Sequence, residues 1–370
     1  MRPIQLLIKP ASALCNMRCR YCFYCDVAEN RNTASFGIMS PETTEAMVKN
    51  IFAAAPSSVS FAFQGGEPTL AGAGYFRHFH TMVEQYNVSH VPVSFALQTN
   101  GYDLNEELVA LLAAYHYLVG VSLDGTGTLH DSLRPDAQGN GTFKRVNATL
   151  DSLAQHHIDT NILCVVTEPV AREAAQVYKY FRSRQFKFVQ FIPYVPDFGR
   201  EKENHPFTLT NKRYAQFLNT TFRLYYEDFC RGQYISIRQF DNFIRLAAGM
   251  PTECCGMDGI CHANLIVEAD GSVYPCDFYV LDKWKTGNIA TDDIQTLLRS
   301  PVAKTFVDLS NHIDPACRNC ECLMICRGGC RRHRETADGG IGKNRYCEAY
   351  RIFFRENRER ILDMARKVRG

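Results

Sequence analysis

Three cysteines near the start of the chain constrain its structure more than any other feature. Cys15, Cys19 and Cys22 form a Cys-x3-Cys-x2-Cys group after a short apolar segment at residues 4–8. A cubane 4Fe-4S cluster has four iron corners, which usually carry one cysteine thiolate each. Three thiolates leave one iron open to a small molecule. A zinc site is the alternative, but structural zinc takes four ligands, usually in paired Cys-x2-Cys groups, so the spacing favours the cluster.

Eight further cysteines in the last third of the chain form a second group. They are Cys255, Cys261, Cys276, Cys317, Cys320, Cys326, Cys330 and Cys347. Eight thiolates fully ligate two 4Fe-4S clusters and leave no open iron at either. Spacing alone does not fix which cysteines share a cluster. A pair of zinc ribbons is the alternative, because the Cys-x2-Cys step at 317 and 320 suits zinc equally well.

The number of cysteines and the net charge indicate the type of compartment and the classes of partner that this protein has. The 16 cysteines in 370 residues would indicate disulfides only in a small secreted chain. The apolar run at 4–8 is too short for a signal peptide and Lys9 interrupts it, and no apolar window approaches the ~20 residues that span a bilayer. We therefore expect a soluble, cytoplasmic protein in a reducing compartment. A net charge of +2 without a long basic run argues against a nucleic-acid or membrane partner.

Apolar runs alternate with helical patterns along the first half of the chain. Helical spacing follows Asn105, a credible helix start because two glutamates come directly after it. Six strand–helix units predict a parallel sheet with right-handed crossovers, and six units rather than eight indicate a partial TIM-type barrel, with its active site at the carboxyl ends of the strands. The predicted strands cover residues 4–9, 59–64, 93–98, 117–123, 160–167 and 186–194.

Polar motifs stand at the ends of successive predicted strands. A Gly-Gly-Glu-Pro run at 65–68 supplies glycines that bring the backbone close to a ligand, and Glu67 can accept hydrogen bonds from an ammonium group. Short polar side chains at 98–101 and 122–125 suit a ribose or a carboxylate, and Arg134 could pair with a carboxylate in bidentate fashion. Taken alone, each of these residues is most simply a turn or cap residue. Because they follow successive strands in order, together they indicate a binding site.

The cysteine triplet and the Gly-Gly-Glu-Pro run together resemble the radical S-adenosylmethionine (SAM) superfamily. In that superfamily the amino and carboxylate groups of SAM chelate the open iron, so the resemblance implies a radical enzyme with a partial (β/α)6 TIM-type barrel. It places the SAM amino group near Glu67, the carboxylate near Ser122 and Arg134, and the ribose near Gln98 and Asn100. The full set of SAM contacts that it implies is Tyr21, Gly65, Gly66, Glu67, Gln98, Asn100, Ser122, Asp124 and Arg134.

The downstream cysteines resemble the SPASM extension, an auxiliary-cluster domain of radical SAM enzymes that modify peptides and proteins. The resemblance implies three 4Fe-4S clusters in total and a division into a radical SAM core at residues 1–234 and a small cysteine-rich SPASM domain at 235–370. The latter ends in an amphipathic helix over 350–368. It assigns Cys255, Cys261, Cys276 and Cys330 to one auxiliary cluster, and Cys317, Cys320, Cys326 and Cys347 to the other.

Over essentially the whole chain, the motifs resemble anaerobic sulfatase-maturating enzymes, which convert a Cys or Ser of a sulfatase into Cα-formylglycine. The most telling segment is 270–279, where Asp277 directly follows a cluster ligand. The resemblance implies that Asp277 is the general base toward the target thiol or hydroxyl, and that Tyr24 and Gln64 position the target side chain. Asp277 could alternatively anchor its loop through backbone hydrogen bonds.

The implied reaction removes a hydrogen from Cβ of the target with a 5′-deoxyadenosyl radical and passes a second electron to the auxiliary clusters. The partners implied are a sulfatase polypeptide and an electron donor such as flavodoxin or ferredoxin. Arg238 is either a contact to the substrate backbone or an ordinary surface cation.

Two other functions fit part of the pattern. A SPASM enzyme that forms thioether or carbon–carbon crosslinks in a ribosomal peptide would use the same clusters, but such enzymes commonly carry an amino-terminal recognition domain, for which Cys15 leaves no room. A plain electron carrier would need neither an open iron nor the Gly-Gly-Glu-Pro run. Release of 5′-deoxyadenosine from SAM separates an enzyme from a carrier.

Overall fold

The computed structural model describes residues 2–198, 206–336 and 339–369. The six predicted strands are confirmed to within two residues at each end, and further short strands follow them. The strands are β1 (Ile4–Ile8), β2 (Val59–Phe63), β3 (Val93–Thr99), β4 (Leu118–Ser122), β5 (Thr160–Val166), β6 (Phe188–Pro193), β7 (Ser236–Ile237), β8 (Leu265–Val267), β9 (Ser272–Tyr274) and β10 (Gly287–Asn288).

Helices fill most of the connections between these strands. They are α1 (Phe23–Glu29), α2 (Pro41–Ala53), α3 (Gly72–Tyr86), α4 (Glu106–Ala114), α5 (Gly127–Leu133), α6 (Phe143–Gln155), α7 (Glu168–Arg172), α8 (Ala174–Ser183), α9 (Asn211–Cys230), α10 (Arg238–Ala247), α11 (Ile294–Arg299), α12 (Pro301–Ser310), α13 (Pro315–Arg318), α14 (Leu323–Cys326) and α15 (Cys347–Arg369). The predicted carboxy-terminal helix is α15. No helix in the part of the chain described here is both long and apolar enough to cross a membrane.

Helix α4 shows how local sequence fixes an element. The Asn105 side chain accepts a hydrogen bond from the backbone N–H of Leu108 at 2.9 Å, which satisfies one of the amide donors left open at a helix start. Glu106 and Glu107 occupy the first turn, where negative charge favours the helix dipole. The predicted start at Asn105 is therefore confirmed.

The chain divides into two compact units, each built from separate stretches of sequence. The first unit contains residues 1–122, 134–160 and 263–306, and the second contains 123–133, 161–262 and 307–370. These ranges describe compactness only, and the functional division proposed at residue 234 stays a prediction.

The first unit is built on a mixed sheet with a parallel centre. Strands β1, β2, β3 and β4 pair in parallel in that order, and β8 pairs in parallel with the other edge of β1. Strands β9 and β10 extend this edge in antiparallel fashion. The prediction of an α/β fold with parallel strands joined by helices is confirmed.

An aromatic cluster forms the core of the first unit beneath β2. The rings of Phe61 and Phe63 lie 5.1 Å and 4.9 Å from that of Phe79 in edge-to-face contact, and Phe63 is also 5.1 Å from Phe76. Such aromatic pairs contribute about 0.5–1.5 kcal/mol each beyond the area that they bury. This packing fixes β2, whose carboxyl end leads into the Gly-Gly-Glu-Pro run.

The second unit contains the parallel strands β5, β6 and β7 and a helical layer. Helix α9 packs along α15, where the rings of Phe222 and Phe353 lie 5.3 Å apart. Residue Arg238 begins α10 and donates a hydrogen bond to the backbone carbonyl of Glu253 at 3.1 Å. Contact of Arg238 with a substrate backbone stays a prediction.

A buried ion pair stabilises the first unit near the cysteine-bearing loop. Arg31 bonds to Glu268 after β8, and both side chains are almost fully buried. Arg31 also donates to Ser12 Oγ at 3.3 Å, and Ser12 Oγ accepts the backbone N–H of Phe36 at 3.0 Å. The pair therefore ties the loop before Cys15 and the segment after α1 to β8.

Replacing Glu268 with Gln should strongly destabilise the protein, because the buried Arg31 charge loses its counter-ion. Breaking one side of a buried pair costs about 3–5 kcal/mol of unfolding free energy. Denaturant unfolding followed by circular dichroism measures the loss. The matched control is Glu107→Gln, which removes an exposed partner of Arg77 and should change stability little. Equal stability of the two variants would contradict the importance of the buried pair.

Candidate active site

The three amino-terminal cysteines lie on the loop between β1 and α1. The loop turns back on itself, with the backbone N–H of Cys22 donating to the carbonyl of Cys19 at 3.2 Å, and Cys22 is the N-cap of α1. The Cys15 sulfur accepts hydrogen bonds from the backbone N–H of Met17 at 3.4 Å and from Asn100 Nδ2 at 3.7 Å. None of these cysteines is in a disulfide.

The electrostatics of Cys22 favour the thiolate form that binds iron. Its pKa is lowered to about 6, first by a hydrogen bond from the Cys25 thiol and also by the positive charge of Arg134. Burial raises the pKa of Cys15. Three reduced thiols on one short loop fit a 4Fe-4S cluster, in which each thiolate binds a separate iron. Ligation by Cys15, Cys19 and Cys22 nevertheless stays a prediction.

The glycines after β2 bring the backbone against this loop. The N–H of Gly66 donates to Ser12 O at 2.9 Å and that of Glu67 to Leu14 O at 2.7 Å. A Cβ atom on Gly66 would lie 2.1 Å from Leu14 O, so no larger residue fits without a shift of the backbone. The glycine therefore allows the Gly-Gly-Glu-Pro turn to pack directly against the residues that precede Cys15.

The structure gives the Glu67 side chain partners within the chain. The carboxylate is 0% exposed. One oxygen accepts from Thr69 and from Thr99 Oγ1 at 2.9 Å, and the other accepts the backbone N–H of Asn100 at 2.7 Å. This arrangement favours a role in joining the ends of β2 and β3. The contact with the SAM ammonium group stays a prediction.

Asn100 and Asp124 also have partners other than a ligand. The Asn100 amide donates to Asn16 Oδ1 at 2.8 Å as well as to the Cys15 sulfur, which favours support of the cysteine loop over contact with a ribose. Asp124 is 0% exposed and accepts the backbone N–H of Val165 at 3.0 Å within the second unit. Its side chain therefore bonds to the carboxyl-terminal end of β5.

The remaining predicted SAM contacts lie in pairs. Gln98 donates to Ser122 Oγ at 3.3 Å, which joins the ends of β3 and β4. Arg134 donates to the Tyr21 hydroxyl at 2.7 Å, next to Cys22. The first pair places polar groups at the carboxyl ends of β3 and β4, as the sequence predicts. Contact with SAM stays a prediction for both pairs.

Three residues predicted separately to act on the target side chain lie in one hydrogen-bond network. The Tyr24 hydroxyl donates to Asp277 Oδ2 at 2.6 Å. Gln64 Nε2 lies 2.6 Å from the Tyr24 hydroxyl and 3.2 Å from Asp277 Oδ2. Burial, followed by the negative charge of Asp277, raises the pKa of Tyr24 well above its usual value, so Tyr24 acts as a donor to the carboxylate.

Lys9 completes this network and was not among the predicted site residues. Its ammonium lies 3.3 Å from Asp277 Oδ1 and 4.5 Å from the centre of the Tyr24 ring. Lys9 belongs to the segment after β1, whereas Asp277 follows β9 and Cys276. The sequence signal is weak, since no motif gives Lys9 a role of its own.

Seven of the eight predicted auxiliary-cluster ligands lie in the second unit, and they form two groups. Burial raises the pKa of Cys255 to about 11, with a further contribution from the negative charge of Cys261, and burial raises that of Cys330 to about 12, where Cys261 and Cys255 contribute. Burial raises the pKa of Cys326 to about 12, with contributions from Cys347 and Cys317. Mutual repulsion of this kind requires neighbouring thiols.

The predicted division of the auxiliary ligands uses the same two groups and adds Cys276 to the first. Cys317 and Cys347 each interact with Cys320, which brings together Cys317, Cys320, Cys326 and Cys347. Cys276 lies in the first unit. Four neighbouring reduced thiols fit a cubane cluster, in which each iron takes one thiolate. The pairing stays a prediction.

Comparison with known families finds two matches along the chain. The family model of the radical SAM superfamily matches residues 10–181. The model of SPASM, an iron-sulfur cluster-binding domain, matches residues 259–321. The first match covers the amino-terminal cysteine triplet, and the second covers Cys261, Cys276, Cys317 and Cys320 of the downstream group.

Comparison with individual proteins covers the full chain. A cysteine-type anaerobic sulfatase-maturating enzyme from Clostridium novyi (strain NT) is 40% identical over 369 residues, which are 100% of this chain and 99% of that protein. A serine-type anaerobic sulfatase-maturating enzyme from Klebsiella aerogenes is 28% identical over 374 residues, with 100% and 88% covered. The solved structure of native anSMEcpe with bound AdoMet and the Kp18Cys peptide matches with a TM-score of 0.94 and 40% identity, covering 99% of each chain.

Proposed function

The chain belongs to the anaerobic sulfatase-maturating enzymes of the radical SAM superfamily, and we propose that it oxidises a Cys side chain of a sulfatase to Cα-formylglycine. The proposal includes a preference for Cys over Ser as the target residue. It is supported by 40% identity to a cysteine-type relative against 28% to a serine-type one, both over the full chain.

We assign the cofactors to the residues described above. Cys15, Cys19 and Cys22 hold the SAM-binding 4Fe-4S cluster, and the eight downstream cysteines hold two auxiliary clusters, which makes three. When bound, the first cluster and SAM supply a carbon-centred radical that removes a hydrogen atom from Cβ of the target. We propose that two hydrogen-bonded pairs, Gln98–Ser122 and Tyr21–Arg134, supply partners to polar groups of SAM.

The chain's own contribution is to hold and deprotonate the target side chain. After the loss of the Cβ hydrogen, Asp277 takes the thiol proton and one electron leaves, which converts the side chain to a thioaldehyde. Water then replaces sulfur and gives the aldehyde with release of hydrogen sulfide. Clusters held by the eight downstream cysteines would supply an acceptor for this electron, and we propose a flavodoxin or ferredoxin as the donor that initiates each turnover.

The single observation that carries this assignment is the position of Asp277. Its carboxylate accepts hydrogen bonds from Tyr24, Gln64 and Lys9 and is only partly exposed. Proton transfer requires a fixed distance and orientation. This carboxylate is therefore suited to general-base catalysis, because hydrogen bonds hold it in place on a half-buried surface next to the cysteine loop. Anchoring of the loop alone would not require three partners from distant parts of the sequence.

The test is an anaerobic assay with peptides from a sulfatase motif that carry either Cys or Ser at the target position. We expect reduced enzyme and SAM to convert the Cys peptide to the aldehyde, seen by mass spectrometry and by reaction with a hydrazide probe, and to convert the Ser peptide more slowly. A thioether or carbon–carbon crosslink, or an unmodified peptide despite rapid 5′-deoxyadenosine release, would contradict the proposal. Faster conversion of the Ser peptide would overturn only the Cys preference.

A further inference from the structure

Lys9 is a buried cation at the candidate site whose role neither the motifs nor the predicted mechanism explains. It directly follows β1, and its side chain is 3% exposed. An unpaired ammonium group would be very unfavourable at such a position, because burial removes its hydration. The partner that the fold provides is Asp277, and the two residues are 268 positions apart in the sequence.

We propose that Lys9 is a positioning residue, which holds the Asp277 carboxylate in the orientation required to accept the proton of the target side chain. This inference rests on the proposed function, in which Asp277 is the base. Lys9 acts through Asp277 and not on the substrate. It adds a fourth residue to the three that were assigned to the target side chain.

The contacts show how Lys9 restricts the carboxylate. Its ammonium approaches Oδ1 at 3.3 Å, whereas Tyr24 and Gln64 occupy Oδ2 at 2.6 Å and 3.2 Å. Because the two oxygens have different partners from different parts of the chain, rotation of the carboxylate about its Cβ–Cγ bond would break hydrogen bonds on both sides. Without Lys9, Oδ1 loses its partner and the carboxylate is restrained from one side only.

The surroundings of Lys9 fix its own side chain. Its backbone N–H donates to Val267 O at 2.8 Å, which ties it to β8. The ammonium lies 4.5 Å from the centre of the Tyr24 ring, a favourable position for a cation. A Cβ atom on Gly65 would lie 3.3 Å from both Cβ and Cε of Lys9. The first glycine of the Gly-Gly-Glu-Pro run therefore also leaves room for the lysine side chain.

A purely structural ion pair is the alternative to a positioning role. In that case the loss of Lys9 would lower stability or cofactor content without changing how efficiently each radical event is converted to product. The ratio of formylglycine to 5′-deoxyadenosine separates the two roles, because it is measured per SAM cleaved. Mispositioning of a catalytic group by about 1 Å can cost about 100-fold in rate. If Lys9 positions Asp277, its loss should therefore leave SAM cleavage intact while less formylglycine forms per SAM cleaved.

The experiment compares Lys9→Met with Lys9→Arg in the full-length, cluster-loaded enzyme. Met retains an unbranched apolar chain and removes the charge, and Arg keeps a cation. We expect Lys9→Met to retain iron content and SAM cleavage, to lower the ratio of formylglycine to 5′-deoxyadenosine about 10- to 100-fold, and to change the KM for the peptide little. Lys9→Arg should recover part of the ratio. The matched control Lys304→Met alters an exposed lysine on α12 and should behave as the unchanged enzyme.

A double-mutant comparison tests whether Lys9 acts through Asp277. If it does, adding Lys9→Met to Asp277→Asn should lower the ratio by less than about twofold, because residues that act as one unit are not additive. The same fold-loss in both backgrounds, an unchanged ratio in Lys9→Met, or loss of iron in both Lys9 variants would overturn the proposal. Absence of formylglycine with the unaltered enzyme would instead overturn the proposed function.

Discussion

Replacing Asp277 with Asn should lower formylglycine formation by about 10²- to 10⁴-fold, the usual contribution of a general base. The substitution keeps the size of the side chain and an oxygen that can accept from Tyr24, but it removes the basic carboxylate. Cleavage of SAM should continue, because the three cysteines of the first group are unchanged. Single-turnover assays that quantify 5′-deoxyadenosine and formylglycine in the same sample measure both effects.

The matched control for Asp277 is Asp308→Asn, which alters an exposed carboxylate on α12. This variant should form both products at the rate of the unchanged enzyme. If Asp277→Asn also forms formylglycine at that rate, the carboxylate only anchors its loop, and another group must receive the proton.

Replacing Cys22 with Ala should abolish both products. Cys22 is the cysteine whose pKa is lowered to about 6, and a cluster left with two protein thiolates loses the ligand set on which SAM binding depends. We expect the low-temperature electron paramagnetic resonance spectrum of the reduced protein to lose the component that changes on addition of SAM. The auxiliary clusters should remain, since their ligands lie elsewhere in the sequence.

Cys230→Ala provides the corresponding control, because Cys230 is an exposed cysteine at the end of α9 outside both predicted ligand groups. It should retain iron content, the spectral response to SAM and both products. A Cys22→Ala protein that still released 5′-deoxyadenosine would show that the triplet is not the SAM-binding site, and the assignment of the first cluster would have to be abandoned.

Much of the first half of the fold could be predicted because its strands are short apolar runs that end at polar motifs. The run at 59–64 gave β2 as Val59–Phe63, and its boundary follows from the glycines that come next. Helix α4 was predictable from Asn105, since the cap and its two following glutamates lie together in sequence. These signals come from residues that are neighbours in the chain, so they can be recognised in a single sequence.

The organisation of side chains around the site was less predictable, because it depends on contacts between distant segments. The pairing of Lys9 with Asp277 and of Arg31 with Glu268 joins residues more than 200 positions apart. A polar side chain at a strand end can face a ligand or a neighbouring loop, and sequence does not distinguish the two. Glu67 and Asn100 illustrate this, since the Glu67 carboxylate bonds to the end of β3 and the Asn100 side chain bonds to the cysteine loop.

The pairing of β1 with β8 has a consequence for how the protein is made. Leu6 is in register with Leu265. One edge of β1 therefore stays unpaired during synthesis until the ribosome has added about 260 further residues. At about 5–20 residues per second, that interval is roughly 13–50 s. An open strand flank invites pairing with other nascent chains. The growing polypeptide must therefore keep β1 shielded throughout this period, and its yield in a cell will depend on translation speed and on chaperones as well as on the final stability.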